Sequence, residues 1–242
     1  MDIIVLEKIL KRFKKQNVLD YLSLKIKEGE IFGIVGKSGC GKTTLLKVLI
    51  GMLNYELGKI YFDGQKIHMF NKDFLKNNIG FASQENMLYD ELTLMENIFY
   101  YGKLYNLSRK IIKKNALSLL KLADLNNAKN SLIRTFSGGM KKRANILVSL
   151  IHDPKVLILD EPTVGLDPVL RDSIWDYINE VNKTGKTIIV TSHLLEELQN
   201  NCSGIAFMDK GKIVAVYDIR DKKRFSNKSL NDIFKAWVSK NV

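Results

Sequence analysis

Gly36-Lys37-Ser38-Gly39-Cys40-Gly41-Lys42-Thr43, with Thr44 behind it, has the order of a phosphate-binding loop: Gly, four residues, then Gly-Lys-Thr. Glycines let the backbone curl so that successive N–H groups and a helix N-terminus face an anion. In such a loop Lys42 neutralises the β- and γ-oxygens of a nucleoside triphosphate, and the Thr43 hydroxyl ligates Mg²⁺. A second constellation closes the apolar run VLILDE, where Asp160 and Glu161 stand side by side. Asp160 is placed to act through its charge on the metal. Glu161 is placed beside the γ-phosphate to polarise an attacking water as general base. The alternative is that the two acids only cap the turn that Pro162 opens.

Such groups need a rigid frame. IFGIVG (31–36) reads as a buried strand entering the glycine-rich turn, and Leu45, Leu46 and Leu49 then recur at helical spacing over 42–49. VLILD (156–160), TIIVTS (187–192) and GIAFMD (204–209) read as further core strands. β-rich runs alternating with helical patterns predict the α/β class, with a parallel sheet covered by helices. Residues 3–10, 22–26 and 58–62 predict a smaller, partly antiparallel sheet. From about 92 to 150 Leu, Ile and Lys recur at helical intervals without comparable strands, which predicts an inserted helical subdomain over about 86–150. One unit then covers 1–217. The basic tail, 218–242, contains SLNDIFKAWV, which puts Leu230, Ile233, Phe234 and Trp237 on one helical face, expected to dock back on the core rather than on a partner or a membrane.

The formal charge of +12 calls for a polyanionic partner such as nucleotide phosphates, an anionic membrane face or nucleic acid, unless it is simply a lysine-rich solvated surface. Two cysteines, Cys40 and Cys202, encode neither a disulfide scaffold nor a zinc site and suit a reducing cytoplasm. No apolar stretch reaches the roughly eighteen residues of a membrane helix, and no cleavage site follows the N-terminal segment. The expectation is a cytoplasmic chain that neither spans a bilayer nor is exported.

Phe136-Ser137-Gly138-Gly139-Met140, just ahead of VLILDE, resembles the signature motif of ATP-binding cassette (ABC) ATPases. The resemblance extends over most of the chain: Gln84 sits like the Q-loop glutamine, Gly165-Leu166-Asp167 like the D-loop, His193 like the switch histidine and Phe13 like the A-loop aromatic. It implies a RecA-like P-loop NTPase core and a head-to-tail dimer with a second copy or a paralogue. ATP held by 36–44 of one subunit would be covered by Ser137, Gly138 and Gly139 of the other. It further implies that Gln84 senses the metal, that His193 helps Glu161 hold the water, that Phe13 stacks on adenine and that Asp167 belongs to the nucleotide site. Taken singly, Gln84 could be a surface amide, His193 a helix cap or core histidine, Phe13 a core aromatic and Asp167 an N-cap ahead of Pro168. Met140 departs from the glutamine of many relatives. SGGM followed by Lys141, Lys142 and Arg143 is similar to the branch of drug-efflux and polysaccharide or lipid exporters.

The same resemblance implies a separate transmembrane permease, which would hold the cassette at the inner face of the cell membrane, with a coupling helix received near 84–101. No nucleic acid is expected as partner. The rival is a soluble ABC ATPase acting on DNA or the ribosome, but such proteins fuse two cassettes or insert a long coiled coil. A non-hydrolysing cassette is disfavoured by the presence of Lys42, Asp160, Glu161 and His193. Cys40, inside the phosphate loop, predicts that a thiol modifier poisons the site, unless it is only a small packing residue.

Overall fold

The computed structural model describes residues 1–14, 16–67 and 72–220, so the tail with Leu230 to Trp237 lies outside the described residues. Among the described residues ten strands and seven α-helices follow one another in chain order, with β1 (Asp2–Phe13), β2 (Gln16–Lys27), β3 (Ile31–Val35), α1 (Lys42–Leu49), β4 (Leu57–Phe62), β5 (Gln65–Ile67), α2 (Lys72–Asn78) and β6 (Ile79–Ala82) making the first part. Three helices come next, α3 (Leu94–Leu104), α4 (Arg109–Leu122) and α5 (Gly138–Ser149). The chain then alternates through β7 (Val156–Asp160), α6 (Pro168–Lys183), β8 (Thr187–Ser192), α7 (Leu195–Asn201), β9 (Gly204–Asp209) and β10 (Lys212–Asp218).

The larger sheet has the order β10-β9-β3-β8-β7-β6 and is parallel apart from β10, which pairs antiparallel with β9. The smaller sheet, β2-β1-β4-β5, is antiparallel. The expected α/β architecture with two sheets is therefore present. Three strands not anticipated, β5, β6 and β10, are short or lie at a sheet edge.

The parallel strands are apolar on both faces, and each face builds its own core. On β7, Leu157 and Leu159 join one apolar cluster while Val156 and Ile158 join the other. β8 divides Ile188 and Val190 from Ile189 in the same way. The first cluster continues into Ile98, Ile112, Leu120, Ile174 and Ile178 of the helices. The second fills the space between the two sheets with Leu45 and Leu46 of α1 against Ile4, Leu6 and Ile60. The helices from α3 to α5 thus share a core with the sheet, and α5 packs on β6 and α6 as well as on α3. Thr93 starts α3 with a capping box, in which its hydroxyl accepts from Glu96 N and the Glu96 carboxylate accepts from Thr93 N at 2.8 Å.

The register matters for chemistry. Val35 lies level with Ser192, Asp160 with Thr191 and Ala82 with Leu159. Parallel strands in register end together, so the segments that leave β3, β6, β7 and β8 emerge at one carboxyl edge, where ligands of open α/β sheets bind.

Candidate active site

Two of the loop glycines cannot be replaced. A Cβ on Gly36 would lie 2.3 Å from the Met208 carbonyl oxygen, and Gly41, at φ 111° as the N-cap of α1, would place one 2.7 Å from the Val18 carbonyl oxygen. With them the chain turns from β3 straight into α1, whose first turn carries no acidic residue to offset its positive end. Lys37, Ser38 and Gly39 are exposed on the outer side of the turn, Thr43 is exposed and Thr44 half-buried. Lys42 is buried and lies back along the loop, its Nζ donating to the carbonyl of Gly36 at 2.8 Å and to that of Lys37 at 3.4 Å.

Cys40 corrects one expectation. Its side chain is buried, its Sγ would stand 2.6 Å from a Cβ at Gly36, and burial pushes the thiol above its ordinary pKa. A protonated, enclosed thiol is a poor nucleophile, so Cys40 is a packing residue rather than a reactive one. Cys202 is buried as well, with its thiol pushed up by the same cause. Neither should titrate with an aromatic disulfide reagent in the native chain at neutral pH, and both should after unfolding in guanidinium. Fast native labelling of Cys40 with loss of ATP binding would restore the original reading.

The carboxyl edge of β7 and β8 holds the acids. Thr43 Oγ1 donates to Asp160 Oδ2 at 3.2 Å, and Thr191 Oγ1 donates to Asp160 Oδ1 at 2.6 Å. Thr191 also receives Glu161 N, on its hydroxyl at 3.0 Å and on its carbonyl oxygen at 3.2 Å. These bonds hold Glu161 at φ 48°, in the left-handed region, a conformation that costs a non-glycine residue about 1 kcal/mol or more and persists only where its surroundings impose it. Beyond the turn, His193 Nδ1 lies 3.4 Å from Glu161 Oε2. The carboxylate side chain is 20% exposed and the imidazole 54%, so the pair opens outward instead of closing into the core. Thr191 was not anticipated; its signal was two polar residues ending the apolar run TIIVTS, both buried in the fold.

Other expected residues lie apart. Gln84 is exposed just past β6, its carbonyl oxygen accepting from Lys142 Nζ at 2.7 Å. Asn145 of α5 fastens the same loop, donating to Ser83 O and accepting from Met87 N, each at 3.3 Å. Ser137 is the N-cap of α5 and accepts from Met140 N at 3.3 Å. Gly138 is exposed, whereas Gly139 is buried against Leu170. Asp167 caps α6, accepting from Leu170 N at 3.0 Å, with Pro168 in the first turn. Phe13 is 47% exposed at the end of β1, with Lys11 Nζ 5.2 Å from its ring centroid, so it is no core aromatic. The structure therefore brings 36–43, Asp160, Glu161 and His193 to one edge. Among the described residues no hydrogen bond or ion pair joins 137–139 to 36–44.

Known proteins resemble this chain over most of its length. The family described as ABC transporter matches residues 19–164. The linearmycin resistance ATP-binding protein LnrL of Bacillus subtilis is 38% identical over 212 residues, 87% of this chain and 67% of that protein. The Nod factor export ATP-binding protein I of Ralstonia nicotianae is 35% identical over 215 residues, 88% of this chain and 66% of that protein. The chain thus spans about two thirds of the length of these relatives. Among solved structures, a dimeric ATP-binding cassette in a post-hydrolysis state with ADP and Pi superposes with a TM-score of 0.79 at 27% identity, covering 90% of this chain and 99% of that one. The chain belongs to the ABC transporter family, as one of its ATP-binding ATPase cassettes.

Proposed function

We propose that this chain is the ATP-hydrolysing subunit of an ABC exporter, working as a head-to-tail pair on a separate membrane-spanning subunit. The observation that carries the reading is the 3.4 Å approach of Glu161 to His193 beside the Thr43–Asp160 contact, at the edge where the phosphate loop turns. The oxygen donors fit Mg²⁺, because a hydroxyl and a carboxylate already meet at 3.2 Å, and Mg²⁺ takes one or two carboxylates together with substrate phosphates. When bound there, Mg²⁺ would offset the charge of the phosphate oxygens of substrate ATP.

The residues then divide the work. Lys42 exchanges its contacts with the Gly36 and Lys37 carbonyls for the β- and γ-oxygens. Glu161 takes a proton from the water whose oxygen attacks the γ-phosphorus as the bond to ADP breaks, and His193 orients that water. Phe13 stacks on adenine. Ser137, Gly138 and Gly139, at the start of α5, offer a second anion-binding surface to ATP held by the facing chain, beside Asp167. The separation of that surface from the chain's own phosphate loop favours a site that a partner completes.

Export is inferred from the likeness to proteins named for resistance and for export. Among the described residues no helix is long and apolar enough to cross a membrane, so force has to pass through docking. An apolar groove of about 320 Å³ between the sheet and α3 suits that role; its lining includes Leu75, Tyr101 and Tyr105, and Met52 and Leu104 are 65% and 47% exposed. Two of its lining residues, Met87 and Tyr101, fall within 84–101, the stretch proposed to receive a coupling helix of the permease, which would hold the chain on the inner membrane face. The test is pull-down from native membranes. The natural chain should capture a multi-span membrane protein, and Met52→Glu with Leu104→Glu should lose it while the isolated chain still hydrolyses ATP. Retention by the double variant overturns the docking site; capture of no membrane protein by the natural chain overturns the transporter reading.

A further inference from the structure

Glu197 projects from α7, four residues beyond His193, and its carboxylate gathers contacts from two other segments. Its Oε2 accepts from Thr163 Oγ1 at 2.7 Å and from Trp175 Nε1 at 3.1 Å. Its Oε1 is buried, has no hydrogen-bond partner and lies 3.7 Å from Arg171 Nη1. Thr163 is buried two residues after Glu161, and Arg171 Nε in turn donates to Leu166 O at 2.8 Å. The turn that carries Glu161 is thus pinned at Thr163 directly and at Leu166 through Arg171. Both pins end on one carboxylate of the helix that follows His193, on the wall of a cavity of about 560 Å³ that His193 also lines.

We infer that Glu197 is a positioning residue for hydrolysis: it ties the turn behind Glu161 to the helix behind His193 and so fixes the spacing of that pair. The inference rests on the proposed roles of Glu161 and His193. Burying a carboxylate costs desolvation that only well-placed donors offset, and here the donors come from the segments flanking the base. Glu161 holds a left-handed backbone conformation that its surroundings must impose, and Thr163 lies at the far end of its turn. Displacement of a catalytic group by about 1 Å costs up to ~10²-fold in rate, so a slack turn should show in kcat.

The test compares Glu197→Ala, Glu197→Gln and Thr163→Val in the full chain, by steady-state ATP hydrolysis with thermal melting. Ala removes the acceptor, Gln keeps one oxygen able to take both donors, and Val removes the opposing hydroxyl at nearly constant volume. Expected are a fall in kcat of about tenfold or more for Ala and Val, with KM for ATP within about twofold, and rescue by Gln to within about threefold of the natural chain. Natural kcat in Glu197→Ala, equal losses in Ala and Gln, or a loss confined to KM each overturns it. Should the Ala variant fail to fold, natural kcat in Thr163→Val overturns it instead. Glu161→Gln, run alongside, separates the two readings: full activity there strikes the proposed function, whereas an inactive Glu161→Gln with an unimpaired Thr163→Val strikes Glu197 alone.

Discussion

Glu161→Gln should lower the rate of ATP hydrolysis by about 10²- to 10⁴-fold, the range that a positioned general base contributes, and leave Mg·ATP binding near that of the natural chain. This is a loss of about 3–5 kcal/mol of transition-state stabilisation. The substitution exchanges one carboxylate oxygen for an amide nitrogen and alters little else. The backbone of residue 161 is held through its own N–H by Thr191, and Asp160 keeps its contacts with Thr43 and Thr191. What is lost is the ability to receive a proton at a point 3.4 Å from His193. A phosphate-release assay with a nucleotide-binding measurement separates the two effects. Lys42→Ala, which removes a cation directed at the phosphates, should weaken binding and rate together. Turnover by Glu161→Gln within about threefold of the natural rate would place the base elsewhere.

The parts of this site that were readable in the residue order are those where one chemical demand dominates a short segment. The glycines at 36 and 41 are required by sterics that leave no room for a Cβ, and a strand buried on both faces announces itself as VLILD or TIIVTS. Both signals are local. β5, β6 and β10 escaped notice because short or edge strands have one neighbour to satisfy and show little alternation. The reach of α5 into the main core was also hidden: its apolar residues look like those of any helix, and only packing reveals that Asn145 clasps the Gln84 loop. Thr191 and Glu197 were missed for a similar reason. Their partners, Asp160 and Thr163, are about thirty residues away in sequence, and a lone threonine or glutamate gives no sign of which acid or hydroxyl the fold will set against it. The sequence left Cys40 open between a reactive and a packing residue because its place in a ligand-facing loop is a fact of sequence, whereas its burial is a fact of the fold.

Gly138→Asp should abolish hydrolysis without harming the chain that carries it, and mixing should restore activity from two inactive proteins. A side chain at 138 meets only Leu166, at 3.8 Å from the Cβ position, and an acid in the first turn of α5 suits the positive end of that helix. The monomer therefore keeps its stability and its nucleotide affinity. In a head-to-tail pair the same carboxylate would face the γ-phosphate bound by the partner, and repulsion should keep that one site from closing. Glu161→Gln chains fail for the opposite reason, with a sound surface at 137–139 and a missing base. When the two variants pair, one site joins both defects and the other joins Glu161 of the first variant to the intact surface of the second. Random two-fold pairing makes about half of all pairs mixed, each with one live site, so an equal mixture should recover about a quarter of the natural rate. That is a rise of more than tenfold over either variant alone. A site built within a single chain predicts no rise at all, so, with both variants inactive on their own, a mixture that stays at the level of its components would refute the shared site.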